Sequence, residues 1–110
     1  MSFANTPEPP YLAVLFSSTL RADAAEYEEN AARMLELVEG RPGFLGQESA
    51  RGPDGLGITI SYWRDEASIA AWKADLEHAR AQARGKAEWY SAYRLRVARV
   101  ERDAAMDPRA

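Results

Sequence analysis

Tyr11–Phe16 is an unbroken apolar run of six residues, followed by Ser17, Ser18 and Thr19. Its shortness predicts a strand covered on both faces rather than a helix. From Arg21 to Glu39 the period changes. Tyr27, Ala31, Met34, Leu35 and Val38 recur at i, i+4, i+7, i+8 and i+11, with acidic residues and Arg33 between them, which predicts an amphipathic helix. Asp23 is expected in its first turn, where a carboxylate complements the helix dipole. Gly40 and Pro42 end it. Phe44–Arg51 and Leu56–Arg64 flank Gly52-Pro53-Asp54-Gly55, a turn signal in which proline presets φ and glycine accepts a positive one, so these segments predict a hairpin. Within its second arm Ile58, Ile60 and Tyr62 share one face and Thr59, Ser61 and Trp63 the other. Asp65 is expected to cap a second helix, with Ile69, Trp72, Leu76, Ala79 and Ala83 along one stripe and Gly85 at its end. A short turn over Ala87–Tyr90 leads to a last strand, Ser91–Arg102, with Tyr93, Leu95 and Val97 opposite Arg94 and Arg96.

This order, β-α-β-β-α-β, is the split arrangement of ferredoxin-like domains: an α+β fold with a four-stranded antiparallel sheet and two helices on one face. Residues 11–102 form the domain. Residues 1–10, with three prolines, read as a flexible arm and residues 103–110 as a polar tail. Strand 1 is apolar on both faces, so a monomer leaves the second face greasy. An exposed apolar face of that size marks an interface, and the expected partner is a second copy of the chain.

Composition narrows the chemistry. At 110 residues there is room for one core. With 14 Lys+Arg against 17 Asp+Glu the net charge is −3, which lacks the basic footprint of a nucleic-acid binder. The chain has no cysteine and one histidine, which excludes disulfides, iron–sulfur clusters, thiolate zinc sites, cysteine nucleophiles and histidine cages. No apolar run is long enough for a transmembrane helix, and the first ten residues lack the features of a signal peptide, so a cytoplasmic protein away from membranes is expected. Asp23, Glu26, Glu28 and Glu29 are explained by a solvated helix start, and no metal is expected.

Pro42-Gly43-Phe44-Leu45-Gly46-Gln47-Glu48, Ser61-Tyr62-Trp63, the helix bearing Trp72, His78 and Gln82, and Trp89-Tyr90 before the last strand together resemble the antibiotic biosynthesis monooxygenase domain family of the dimeric α/β-barrel superfamily. The resemblance spans roughly Tyr11–Arg102. It implies sheet-to-sheet pairing into a dimeric barrel and, for its oxidising members, cofactor-independent monooxygenation of quinols or polyphenolic anthrones. Trp72 matches the second-helix tryptophan of the enzymatic members. His78 stands where the polyketide-oxidising members place a phenolic or similar polar side chain. Ser68 replaces the asparagine found one turn before the tryptophan. The haem-degrading members are disfavoured, because strand 1 lacks their asparagine and Gln82 stands about where their histidine would be.

The implied activity is a monooxygenase acting on a small aromatic molecule without a cofactor; the alternative is a non-catalytic, dimeric small-molecule-binding domain, with haem binding weaker still. His78 and Trp72 are the candidate catalytic residues. His78 titrates near neutral pH, and in a continuous helix at ~100° per residue it would lie ~120° from Trp72, beside Ala71 and Gln82. Tyr62, Trp63 and Tyr90 are candidate walls of an aromatic pocket, and Arg94 a candidate anion holder. A stripe such as Arg94, Arg96, Arg99 and Arg102 is more often a solvated basic face paired with acidic neighbours. Gly52–Gly57 precedes a strand rather than a helix and is no phosphate cradle.

Overall fold

The computed structural model describes residues 3–106, with Leu76 described by its backbone alone. The element order is β1 (Tyr11–Leu20), α1 (Tyr27–Glu39), β2 (Phe44–Arg51), β3 (Leu56–Trp63), α2 (Glu66–Ala74), α3 (Leu76–Arg84), a π-helical turn (Gly85–Trp89) and β4 (Tyr90–Val100). The strands form one antiparallel sheet in the order β2-β3-β1-β4. This is the ferredoxin-like α+β arrangement, with the helical layer in three helices rather than two.

Several boundaries differ from the expectation: β3 ends at Trp63 rather than Arg64, and the last strand runs Tyr90–Val100 rather than Ser91–Arg102. The polar run Ser17–Thr19 continues β1, because its backbone stays in register with both β3 and β4. The first helix starts at Tyr27, so Asp23 precedes it and Glu28 and Glu29 occupy its first turn. The second helix breaks at Asp75, and past Gly85 the chain keeps turning as a π-helix to Trp89.

The ladders sort side chains onto two faces. Leu12, Val14, Phe16 and Ser18 of β1 lie beside Trp63, Ser61 and Thr59 of β3 and beside Leu95, Val97 and Tyr93 of β4. This face carries the helices: Tyr27 of α1 meets Tyr90 edge-on at 5.9 Å, and Tyr90 meets Phe16 at 5.3 Å. A register shift at Thr19/Leu20 places Tyr90 opposite Leu20, which brings Tyr90 and Tyr93 to one face although they are three residues apart. The other face holds Leu15, Ser17, Ile58, Ile60, Tyr62, Arg94 and Arg96.

Among the described residues the buried hydrophobic ones are Val38, Trp63 and Trp89 on the helix side of the sheet and Tyr11 and Ala13 on the other. Trp63 is 1% exposed, packs edge-on against Phe44 at 5.3 Å and donates its indole N–H to Ser61 Oγ at 3.0 Å. Trp89 donates to the Ala25 carbonyl at 2.9 Å and meets Tyr27 edge-on. Gly43 has φ +82°, and a Cβ there would strike the Ser68 side chain. A non-glycine residue would therefore be strained and would also push α2 off the start of β2.

On the open face Tyr62 Oη donates to Glu48 Oε1 at 2.8 Å, and the Ala4 N–H donates to Glu48 Oε2 at 2.9 Å. Burial first, then the hydrogen bond to Glu48 and its charge, pushes the Tyr62 phenol up to about 12. Thr6 Oγ1 donates to Tyr11 Oη, which donates to Asp103 Oδ2 at 2.8 Å. The segment read from sequence as a flexible arm is thus tied to the sheet at Ala4 and Thr6. No helix among the described residues is long and apolar enough to cross a membrane.

Candidate active site

The site is built around the break between α2 and α3. Asp65 caps α2: its Oδ1 accepts the Ser68 N–H at 2.8 Å and the Ser68 hydroxyl at 2.7 Å. Those bonds hold the Asp65 carboxyl below the usual range, Ser68 contributing more than Arg64. Asp75 repeats the device one helix later. Its ψ of 127° leaves the helical region, and its Oδ1 accepts the His78 N–H at 3.0 Å. Arg41 straps the break, donating to the Ala71 carbonyl at 3.0 Å and lying 3.9 Å from the Asp75 carboxylate.

The break resets the helical phase. In α3 the less exposed positions are His78, Ala81, Gln82 and Arg84, leading into buried Gly85, whereas Ala79 and Ala83 face solvent. The apolar stripe expected through Ala79 and Ala83 is therefore turned outward, and a polar stripe through His78 and Gln82 is turned in. α3 is held antiparallel beside α1 by Arg33–Glu77 and Arg84–Glu26, both at 2.9 Å.

Across the break His78 stacks on Trp72, with ring centroids 4.2 Å apart and planes 17° from parallel. Its Nδ1 lies 3.1 Å from the Trp72 carbonyl oxygen. A carbonyl only accepts, so Nδ1 carries the hydrogen and the neutral ring keeps its lone pair on Nε2. Burial lowers the imidazolium pKa below 6.5, opposed by the Trp72 carbonyl and by Asp75. At pH 7 the ring is a neutral base with one nitrogen already committed.

On the helix-side face of the sheet, Tyr93, Leu95 and Val97 remain 45%, 46% and 46% exposed. The helical layer stops short of β4 and leaves an apolar shelf, with Phe16, Tyr90 and Tyr93 in ring contact at one end. Desolvation, reinforced by Tyr27 and opposed by Arg51, raises the Tyr90 phenol well above its ordinary value.

Of the six residues singled out from the sequence, the fold brings Trp72 and His78 into contact and places Tyr90 on the helix-side face. Trp63 shares that face but is sealed in the core and offers no wall to an open pocket. Tyr62 and Arg94 project from the opposite face, so within one subunit the sheet separates them from His78. Among the described residues Arg94, Arg96, Arg99 and Arg102 form no ion pair, contrary to the acidic partners expected for that stripe. Sequence reading missed Asp75 and Arg41. Asp75 had a signal, an Asp three residues before His78 in the pattern of an N-cap. Arg41 had none. Among the described residues no group of three or more His, Cys, Asp or Glu side chains is placed to hold a metal ion.

Comparison with known proteins agrees with this fold. The chain is 48% identical over 99 residues to the uncharacterized protein YqjZ of Bacillus subtilis (strain 168), covering 90% of this chain and 87% of that one. Its fold matches SnoaB, a cofactor-independent oxygenase from Streptomyces nogalater, with a TM-score of 0.69 at 16% identity over 91% of this chain and all of that one. It likewise matches PA3566 from Pseudomonas aeruginosa, with a TM-score of 0.69 at 18% identity over 89% and 99% of the two chains. The sequence pattern of the antibiotic biosynthesis monooxygenase family matches residues 10–84, and the chain belongs to that family.

Proposed function

We propose that this protein is a cofactor-independent monooxygenase of a small electron-rich aromatic substrate, a quinol or polyphenol, working as a cytoplasmic homodimer. The observation that carries the reading is the Trp72–His78 pair. An imidazole fixed through Nδ1 and kept neutral by burial presents Nε2 as a base. The substrate lies on the apolar shelf of Phe16, Leu95 and Val97, and Nε2 removes a proton from its hydroxyl or activated carbon. The resulting anion is electron-rich enough to reduce dioxygen itself. One oxygen atom enters the ring carbon and the other leaves as water with the two displaced hydrogens. The chain's part is deprotonation, orientation and exclusion of water. The family and the likeness to SnoaB support the reaction class.

Dimerisation is supported by the open face, where Leu56 is 56% and Ile58 37% exposed on the side carrying Leu15 and Ile60. In a sheet-to-sheet dimer Tyr62 and Arg94 belong to the interface and not to the pocket.

A second reading, a dimeric binding domain without chemistry, is favoured by Ser68. Its hydroxyl is spent on Asp65, so the position that carries asparagine in related enzymes offers a substrate no free amide. Incubation with quinols and anthrones under air and under argon separates the two. Oxygen-dependent product supports the oxygenase; thermal stabilisation by the same compounds with no product supports the binding domain.

A further inference from the structure

A groove of about 730 Å³ runs beneath the first turns of α1, lined by Leu20, Tyr27, Ala31, Ser49, Arg51 and Thr59, with neither Trp72 nor His78 in its wall. Arg51 is half-buried in its floor. One terminal nitrogen donates to the Ser18 and Gly55 carbonyls, and the other to Ser18 Oγ at 2.8 Å and Tyr27 Oη at 3.3 Å. The guanidinium carbon lies 5.4 Å from the Tyr27 ring centroid. All of these partners are neutral. Among the described residues no carboxylate lies within ion-pair distance of Arg51, and its Nε–H has no protein acceptor and is not sealed from solvent. The floor therefore carries an uncompensated positive charge with a free donor.

The exposed rim of the mouth carries more acidic than basic charge: its one cation is Arg21, which donates to the Ala87 carbonyl at 3.0 Å. Glu28 and Glu29 stand exposed on the first turn of α1 and line the groove, and neither forms an ion pair among the described residues. Glu26 is neutralised by Arg84. Between floor and mouth the wall is apolar: the Tyr27 ring, Leu20 and Ala31, with the Ser49 and Thr59 side chains alongside.

We propose that this groove is a second binding site, for a small zwitterion carrying a carboxylate and an ammonium group at opposite ends of a flat apolar body. The carboxylate takes the Arg51 Nε–H in a charge-assisted bond. The body lies along Tyr27, and the ammonium meets Glu28 and Glu29 at the mouth. Complementary charge at both ends sets orientation and discriminates against ligands carrying only one of them.

Calorimetric titration of the full chain with three probes of one shape tests this: 4-(aminomethyl)benzoate, 4-methylbenzoate and benzylamine. The zwitterion is expected to bind about tenfold or more tighter than either singly charged probe. Arg51→Gln should remove that binding. The double variant Glu28→Gln with Glu29→Gln should bring the zwitterion down to the affinity of 4-methylbenzoate. Arg51 ties β1, the hairpin and α1 together, so the double variant, which changes only exposed side chains, carries the test if Arg51→Gln does not fold. His78→Ala should leave the titration unchanged, which separates this groove from the proposed oxygenase site. Equal affinity for the three probes, no binding of the zwitterion at millimolar concentration, or full binding by a folded Arg51→Gln variant overturns the proposal.

Discussion

The His78 imidazole lies on the Trp72 indole, 4.2 Å between ring centroids, while its Nδ1–H bonds the Trp72 carbonyl. One residue thus provides both the surface on which the ring rests and the acceptor that fixes its tautomer. A straight helix would hold the two side chains about 120° apart. The break at Asp75 brings them together.

Acid should loosen this arrangement. The folded-state pKa of His78 lies below its ordinary 6.5, burial being the chief cause. The unfolded chain therefore binds more protons than the native chain between the depressed value and 6.5, and the stability present above 6.5 is lost as pH falls through that window. Melting temperatures across this range should decline on acidification for the wild type, with the share due to this residue absent in His78→Gln. An identical slope in both proteins would contradict the buried, neutral ring.

Asp75→Ala removes the cap of α3 and should cost about 1 kcal/mol, whereas Asp75→Asn, which keeps an acceptor for the His78 N–H, should cost little. Urea unfolding reads the difference. Because the same cap sets the phase of α3, the alanine variant should also lose turnover beyond what its stability explains.

Trp63 should be a residue of stability rather than of catalysis. Truncation to alanine empties the most buried large side chain and orphans the Ser61 contact, at a cost of about 3–5 kcal/mol. Trp63→Phe should fold, lose less, and keep any substrate affinity. A selective loss of affinity in a stable Trp63→Phe protein would return this residue to the site.

The open face predicts an oligomeric state. Sedimentation should give twice the 12.2 kDa chain mass for the wild type. Ile58→Asp, which puts an unpaired charge where Leu15 and Ile60 also lie, should give the monomer with unchanged helix content. A wild-type monomer would contradict sheet-to-sheet pairing.

Much of the fold was legible because it rests on local signals. The Pro-Asp-Gly turn, the alternation from Ile58 to Trp63 and the capping aspartate at Asp65 each act within a few residues. What escaped was set at longer range. Ser17–Thr19 look like the end of a strand until the neighbouring ladders and Arg51 hold them in β1. The alternation separates Tyr62 from Trp63 but cannot say which of the two faces the helices, and that choice puts Tyr62 and Arg94 on the face away from them. Helical periodicity ran on through Asp75, because a single residue with ψ of 127° leaves both half-helices their own regular spacing.

In the proposed reaction His78 Nε2 is the base of an oxygen-consuming step. Oxygen uptake with a panel of quinols and anthrones, recorded against pH for the wild type and for His78→Ala, tests it most directly. Wild-type uptake should rise with pH to a plateau, with its midpoint below 6.5 as the lowered imidazole pKa requires, and should fall by about 10²-fold or more in a folded His78→Ala protein. Undiminished uptake in that variant, or no uptake by the wild type with any member of the panel, would contradict it.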